Sequence, residues 1–247
     1  MADTSSTPLT IQTFGDSLVF AGDKLLHPPV NLLRILVYII LEGRGRGVPR
    51  RVIADLIWSD NGAEQASADI RQSLVRIRRF QEDHGLKLLG SDMLMLWLIQ
   101  DSFVSIDLVE FITLMATPLP HAWVRMCELY RGDLLASLRP AGEGFEEWLA
   151  HQRSVLRYDF VSAITRAVMP DSGLNSDDRY LCASALLKID PYHEGAERAL
   201  LTSAAENGQL SYVRQSFEEF VLRLRKDLGV PPDEETITLY RRLVERY

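Results

Sequence analysis

The sequence predicts a mainly α chain: an N-terminal winged helix-turn-helix with a small antiparallel sheet and a hairpin, followed by a tetratricopeptide-like all-helical domain. Three observations predict it. Short alternating runs open the chain at 9–26 and return at 86–106, amphipathic helical stretches lie between them, and beyond Asp107 only helical periodicity remains. A length of 247 residues suits two domains of about 100–150 residues each. They are expected at 9–115 and 121–247, with the boundary within 116–125.

Each element follows in order. Leu9-Thr10-Ile11-Gln12-Thr13-Phe14, Ser17-Leu18-Val19-Phe20 and Lys24-Leu25-Leu26, separated by Gly15-Asp16 and Gly22-Asp23, read as two or three antiparallel strands. After Pro28-Pro29, Leu32, Leu33, Leu36, Val37, Ile40 and Leu41 recur at helical spacing, and Gly43, Gly45 and Gly47 stop that helix. A short helix at 50–58 has Val52, Ile53, Leu56 and Ile57 as its apolar face. A third helix at 64–81 places Ile70, Ser73, Leu74 and Ile77 on one side. Leu86 to Leu89, a Gly90-Ser91-Asp92 turn, Met93 to Ile99 and Phe103 to Ile106 return to strand, with Met93 to Ile99, Trp97 included, read as core packing. Helices are then expected at 107–116, 121–130, 145–168, 176–188, 193–207, 210–227 and 233–247. Breaks at Pro118 and Pro120, Pro140, Pro170 to Gly173, Pro191, Gly208 and Gly229 to Pro232 separate them. Helix starts near Ser176 and Leu210 lie 34 apart, the tetratricopeptide period. Short connections predict stacking that buries Leu181, Leu186, Leu187, Phe217, Phe220 and Val221.

Composition removes several classes. With 47% apolar and 25% charged residues, the chain is neither disordered nor low-complexity. The longest apolar run, Leu32 to Leu41, contains Arg34 and falls short of the ~20 residues of a membrane span. Met1 to Thr7 does not resemble a signal peptide. Cys127 and Cys182 stand apart in helical patterns and read as buried small hydrophobes, which suits a reduced, cytoplasmic compartment.

The formal charge of −7 conceals a basic island. Between Arg44 and Arg79 stand eight basic and four acidic residues, although residues 1–115 as a whole hold 11 and 14. Arg71-Gln72-Ser73-Leu74-Val75-Arg76-Ile77-Arg78-Arg79 carries four arginines and no acid. Its helical phase turns Arg71, Gln72, Val75, Arg76 and Arg79 away from Ile70, with Arg78 near the boundary. Arg bonds phosphate or guanine bidentately and Gln addresses adenine, and a third helix before a hairpin is the element that enters a major groove. Arg50 and Arg51, opening the second helix, and Lys87 are supporting candidates. The hairpin turn carries no base.

Catalytic patterns are missing from the sequence. Gly43-Arg44-Gly45-Arg46-Gly47 follows a helix and lacks the Gly-Lys-Ser/Thr of a phosphate loop, so it reads as a connection between helices. There is no nucleophile elbow and no His-Glu-x-x-His, the five histidines are scattered, and Glu146-Glu147 points to adjacent faces. No catalytic residue, cofactor or metal ligand is expected.

Ile53-Ala54-Asp55-Leu56-Ile57-Trp58-Ser59-Asp60, Ala66-Ser67-Ala68-Asp69-Ile70-Arg71-Gln72 and Val104 to Phe111, in this order, resemble the SARP-type bacterial transcriptional activators. Those proteins join an OmpR-type winged helix to a bacterial transcriptional activator domain. Tyr130-Arg131-Gly132-Asp133-Leu134-Leu135, Phe145-Glu146-Glu147-Trp148-Leu149, Asp190-Pro191-Tyr192-His193-Glu194 and Asp227 to Thr236 extend the resemblance over about 9–246. It implies an activator that binds double-stranded DNA at promoter direct repeats and contacts RNA polymerase, with the helical domain serving activation or a homodimer. It also implies a short form without an attached ATPase or sensor module. Ser91-Asp92-Met93-Leu94 departs from the family's small, sometimes basic wing turn. The alternative is a helical-repeat interaction scaffold with a degenerate winged helix, which the acidic net charge favours.

Overall fold

A computed structural model describes residues 8–99, 101–117 and 119–246; Met1 to Thr7, Pro118 and Tyr247, which enter the sequence expectations, lie outside the described residues. Helices take up 61% of the described residues, as a mainly α reading requires. The chain forms two compact units, each made of two stretches of sequence. One takes in the chain up to Thr113 together with Leu129–Leu156, the other Leu114–Glu128 and the chain from Arg157 onward.

In the first unit, strands β1 (Leu9–Gln12), β2 (Leu18–Ala21) and β3 (Lys24–Leu26) pair antiparallel in sequence order. Val104–Ile106 adds a fourth strand, lying parallel to β1 with Ile11 opposite Ile106. The sequence reading grouped that segment with the hairpin; its parallel pairing is non-local and leaves no hairpin signature. Helices α1 (Val30–Glu42), α2 (Arg50–Ile57) and α3 (Ala63–Asp83) follow. α2 packs on α3, and both meet α1. The buried stripe of α3 is Ala66, Ile70, Ser73, Leu74, Ile77 and Phe80, the 3.6-residue period of a helix with one apolar side.

The hairpin differs from its expected form in three ways. Its strands are Leu89–Ser91 and Met95–Leu98, so Leu86 to Leu88 are not strand. The turn falls at Asp92 to Leu94 because the Asp92 carboxylate accepts the Leu94 and Met95 N–H groups at 2.8 and 2.7 Å, an Asx turn. Val48–Pro49 pairs with Met95–Leu96, making a three-stranded sheet at the end of the glycine-rich connection. Packing also departs from expectation. Leu96 is buried, but Met93 and Leu94 are 89% and 74% exposed and Trp97 is partly exposed. A strand buries alternate side chains, and a hairpin tip has no second layer to cover it. Trp97 lies over Gly90, where any Cβ would sit 2.3 Å from its Nε1.

The return segment of the first unit is held by buried polar contacts. Asp107, which opens α4 (Asp107–Met115), accepts from Thr13 N–H at 2.8 Å, Thr13 Oγ1 at 2.6 Å and Phe14 N–H at 3.2 Å, and pairs with Arg131 at 2.9 Å. Arg34, the charge inside the apolar run, is buried and donates to Asn31 and to the carbonyl of Arg139; burial lowers its pKa. Trp148 donates to Glu42 at 2.8 Å and packs against Tyr38 with the rings tilted at 58°.

The second unit contains α5 (Pro120–Leu129), the end of α6 (Glu143–Ala167), and α7 (Ser176–Ile189), α8 (Glu194–Glu206), α9 (Leu210–Arg223) and α10 (Glu234–Arg246). α8 is central, packed against α7, α9 and α10. Its Ala196, Ala199, Ala204 and Ala205 are buried, small enough for three neighbours to approach. Leu186 and Phe220 are fully buried as expected, whereas Leu181, Leu187, Phe217 and Val221 are only half-buried. The alanines of α8 take the central place those larger side chains were assigned. Leu224–Leu228 continues α9 as a π-turn, ended by Gly229 in the left-handed region. Cys182 is buried and Cys127 half-buried, both free, with sulfurs 3.8 Å apart. The contact with Cys182, reinforced by burial, pushes the Cys127 thiol pKa up, so it stays protonated.

Candidate nucleic-acid interface

The side chains that the phase of α3 turned outward are outward in the structure. Arg71, Gln72, Val75, Arg76, Arg78 and Arg79 are all exposed, while Ile70, Ser73, Leu74 and Ile77 between them are buried. Val75 is 66% exposed, an apolar residue in the middle of a charged crest. Arg71 is steadied by donating its Nε to the Ser67 carbonyl at 2.9 Å, and Arg79 lies 3.9 Å from Asp83. Both leave most of the guanidinium free for a partner; an exposed ion pair of that length contributes little.

Two concavities flank the crest. On one side, Arg50 and Arg51 at the start of α2, Ser67 and Arg71 of α3, and Met93 and Leu94 of the hairpin tip enclose a cavity of about 570 Å³. Arg50 joins α2 to the hairpin, its N–H donating to the Leu94 carbonyl at 2.8 Å. Its side chain is half-buried, and its Nε is buried without a hydrogen-bond partner. Arg51 is exposed and sits 3.5 Å from Asp55. On the other side, Arg76 and Arg79 share a cleft with His27, Asn31 and Phe80. Asn31 donates to Ser73 at 3.0 Å, tying the start of α1 to the back of α3. Lys87 is exposed but lines neither concavity, so it stands apart from the other candidates.

Electrostatically the crest has one sign, because α3 carries no acid from Ile70 to Gln81. The hairpin tip has the other. The N–H groups of Met95 and Leu94, followed by the charge of Arg50, hold the Asp92 carboxyl below the usual carboxylate range. Asp92 is therefore anionic and disfavours a phosphate beside it. The sequence reading missed the exposed Met93–Leu94 tip; the signal was present as two apolar residues directly after a turn-forming Asp. It also missed the Asn31 and His27 flank, which only tertiary packing brings to α3. Among the described residues no cluster of three or more His, Cys, Asp or Glu is arranged to hold a metal, and no helix is long and apolar enough to cross a membrane.

Comparison with known proteins adds three findings. The family model described as "Bacterial transcriptional activator domain" matches residues 125–244. A search of curated proteins finds no match. Among solved structures, Mycobacterium tuberculosis EmbR in complex with a low-affinity phosphopeptide is similar, with a TM-score of 0.59 and 18% identity over 97% of this chain and 65% of that one. An identity that low speaks for a shared fold alone, and this chain spans less than two thirds of that protein's length.

Proposed function

We propose that the chain is a transcriptional activator of the SARP type, with a bacterial transcriptional activator domain behind a winged helix, and that it binds double-stranded promoter DNA through α3. The observation that carries this reading is the single-signed crest of α3. Arg71, Gln72, Val75, Arg76, Arg78 and Arg79 face solvent together over a buried, mostly apolar back, and a helix of that width fits a major groove of about 12 Å. Gln72 and Arg76 project from the centre of the crest and supply base readout. Val75 suits a thymine methyl. Arg71, Arg78 and Arg79 grip phosphates, with Arg50 and Arg51 adding contacts through the cavity beside the hairpin. Such contacts fix register and supply affinity, and base contacts supply choice.

The proposed chain of events is binding to direct repeats and recruitment of RNA polymerase in the cytoplasm, with no chemical step. The hairpin tip, anionic at Asp92 and apolar at Met93 and Leu94, contributes no phosphate contact. A gel shift on genomic fragments over a salt series tests the reading. A steep fall of affinity with salt is expected, because each neutralised phosphate adds about −0.9 to the slope of log K against log salt. A slope near zero overturns it and favours the interaction scaffold, whose support is the acidic net charge of −7.

A further inference from the structure

Far along the chain from the basic crest, the second unit contains a cavity of about 560 Å³, walled by the end of α6, the first turn of α7 and the facing sides of α8 and α10. That volume is typical of a small-molecule site. Its charged lining is Arg179, Arg198 and Arg242 against Glu234 and Glu235. Arg198 is committed within the fold, donating to Thr236 Oγ1 at 3.0 Å and lying 3.2 Å from Glu235. Two arginines then face the single carboxylate of Glu234, a local positive excess on a protein of net charge −7.

The two arginines are differently prepared. Arg179 is fixed by donating to the Leu174 carbonyl at 2.9 Å, and its Nε is buried without a partner. Arg242 is exposed and makes no hydrogen bond or ion pair among the described residues. The lining also includes apolar side chains, Val168 and Ala199 buried and Leu239 half-buried. Gly195 lines the cavity, and a Cβ there would lie 3.2 Å from the His193 ring and 3.9 Å from the Arg198 guanidinium. Cations beside apolar side chains recognise an anion that carries a hydrocarbon body, and Arg179, already held in place, loses little freedom on binding.

We propose that this cavity binds a small aliphatic carboxylate, its anionic group met by Arg179 and Arg242 and its chain laid against Val168, Ala199 and Leu239. The site is independent of the DNA interface and goes beyond it. Isothermal titration of the full chain with octanoate tests the proposal, with octanol, octylamine and inorganic phosphate as comparisons. Octanoate is expected to bind at least about tenfold more tightly than each of the three, a difference in free energy readily resolved. Arg242→Gln removes a charge without removing a contact inside the fold, so it should leave the circular dichroism unchanged and weaken octanoate by about tenfold. Gly195→Leu should block binding. Octanol or octylamine binding as well as octanoate, phosphate alone binding as well, no heat with octanoate, or full octanoate affinity in Arg242→Gln would each overturn the proposal.

Discussion

The arginines of α3 and those of the helical repeats are the same side chain in opposite circumstances. In the second unit several charged groups are engaged within the fold, although Arg242 is not. Arg198 is held by Thr236 and Glu235, Arg223 donates to the Pro191 carbonyl at 2.9 Å, Tyr192 donates to Asp227 at 3.1 Å, and the buried Glu197 accepts from Ser216 at 2.9 Å. On α3, by contrast, Gln72, Arg76 and Arg78 make no internal hydrogen bond or ion pair among the described residues, and Arg79 makes only a long one. A side chain that the fold engages is accounted for by stability. One held outward on an ordered helix without a partner is available to a partner outside the chain. Removing the first kind should therefore change melting, and removing the second should change binding.

The largest effect belongs to the core of the repeats. Phe220 is fully buried, and Phe220→Ala should lower stability by about 3–5 kcal/mol through lost contact and a residual cavity, measured by urea unfolding. Next comes Glu197. Burial raises its pKa from 4.5 to about 7, against the opposing pull of the Ser216 hydrogen bond and the charge of Arg223. The folded state thus holds a proton that the unfolded chain releases above pH 4.5. Stability is fully present below that pH and falls as pH rises through about 7. The loss amounts to about 3 kcal/mol at pH 8, from 1.36 kcal/mol per pKa unit. Glu197→Gln should flatten that pH dependence in thermal melts; an unchanged slope would contradict it.

Smaller effects sharpen the other side of the comparison. Arg71→Ala, Arg78→Ala or Arg79→Ala should each weaken operator and random DNA alike, reducing the salt slope by about one unit, with melting unaltered. Smallest of all is Asp55→Ala. It removes an exposed 3.5 Å pair with Arg51, and melting should move by no more than the equivalent of about 0.5 kcal/mol.

Legibility in the sequence tracks how local each cause is. α3 is apparent because its buried side chains recur every three or four residues, and its outward set follows from the same phase, whereas α1 is apparent from its apolar spacing although Leu32 to Val37 are all buried. The pairing of Val48–Pro49 with Met95–Leu96 spans two residues, too short for any pattern, and depends on a partner far along the chain. The hairpin turn shifts from Gly90-Ser91-Asp92 because a side chain, not a glycine, organises it. Val52 is partly exposed although its spacing fits the apolar face of α2, since an eight-residue helix presents too little pattern to locate its buried edge. The return of Leu129–Leu156 to the first unit rests on contacts such as Arg34 to the Arg139 carbonyl and Gly142 N–H to the Ile57 carbonyl. No local periodicity announces these. Of the candidate interface, the crest was legible and its flanks were not.

The most direct measurement is a fluorescence-anisotropy titration of the Gln72→Ala/Arg76→Ala double variant on the tightest genomic fragment and on random duplex, beside the unaltered protein. Base readout by these two side chains predicts a loss of about 1–3 kcal/mol for each contact on the selected fragment, little change on random DNA and no change in melting temperature. Equal affinity of variant and unaltered protein for both DNAs would contradict the assignment of α3 as the reading helix.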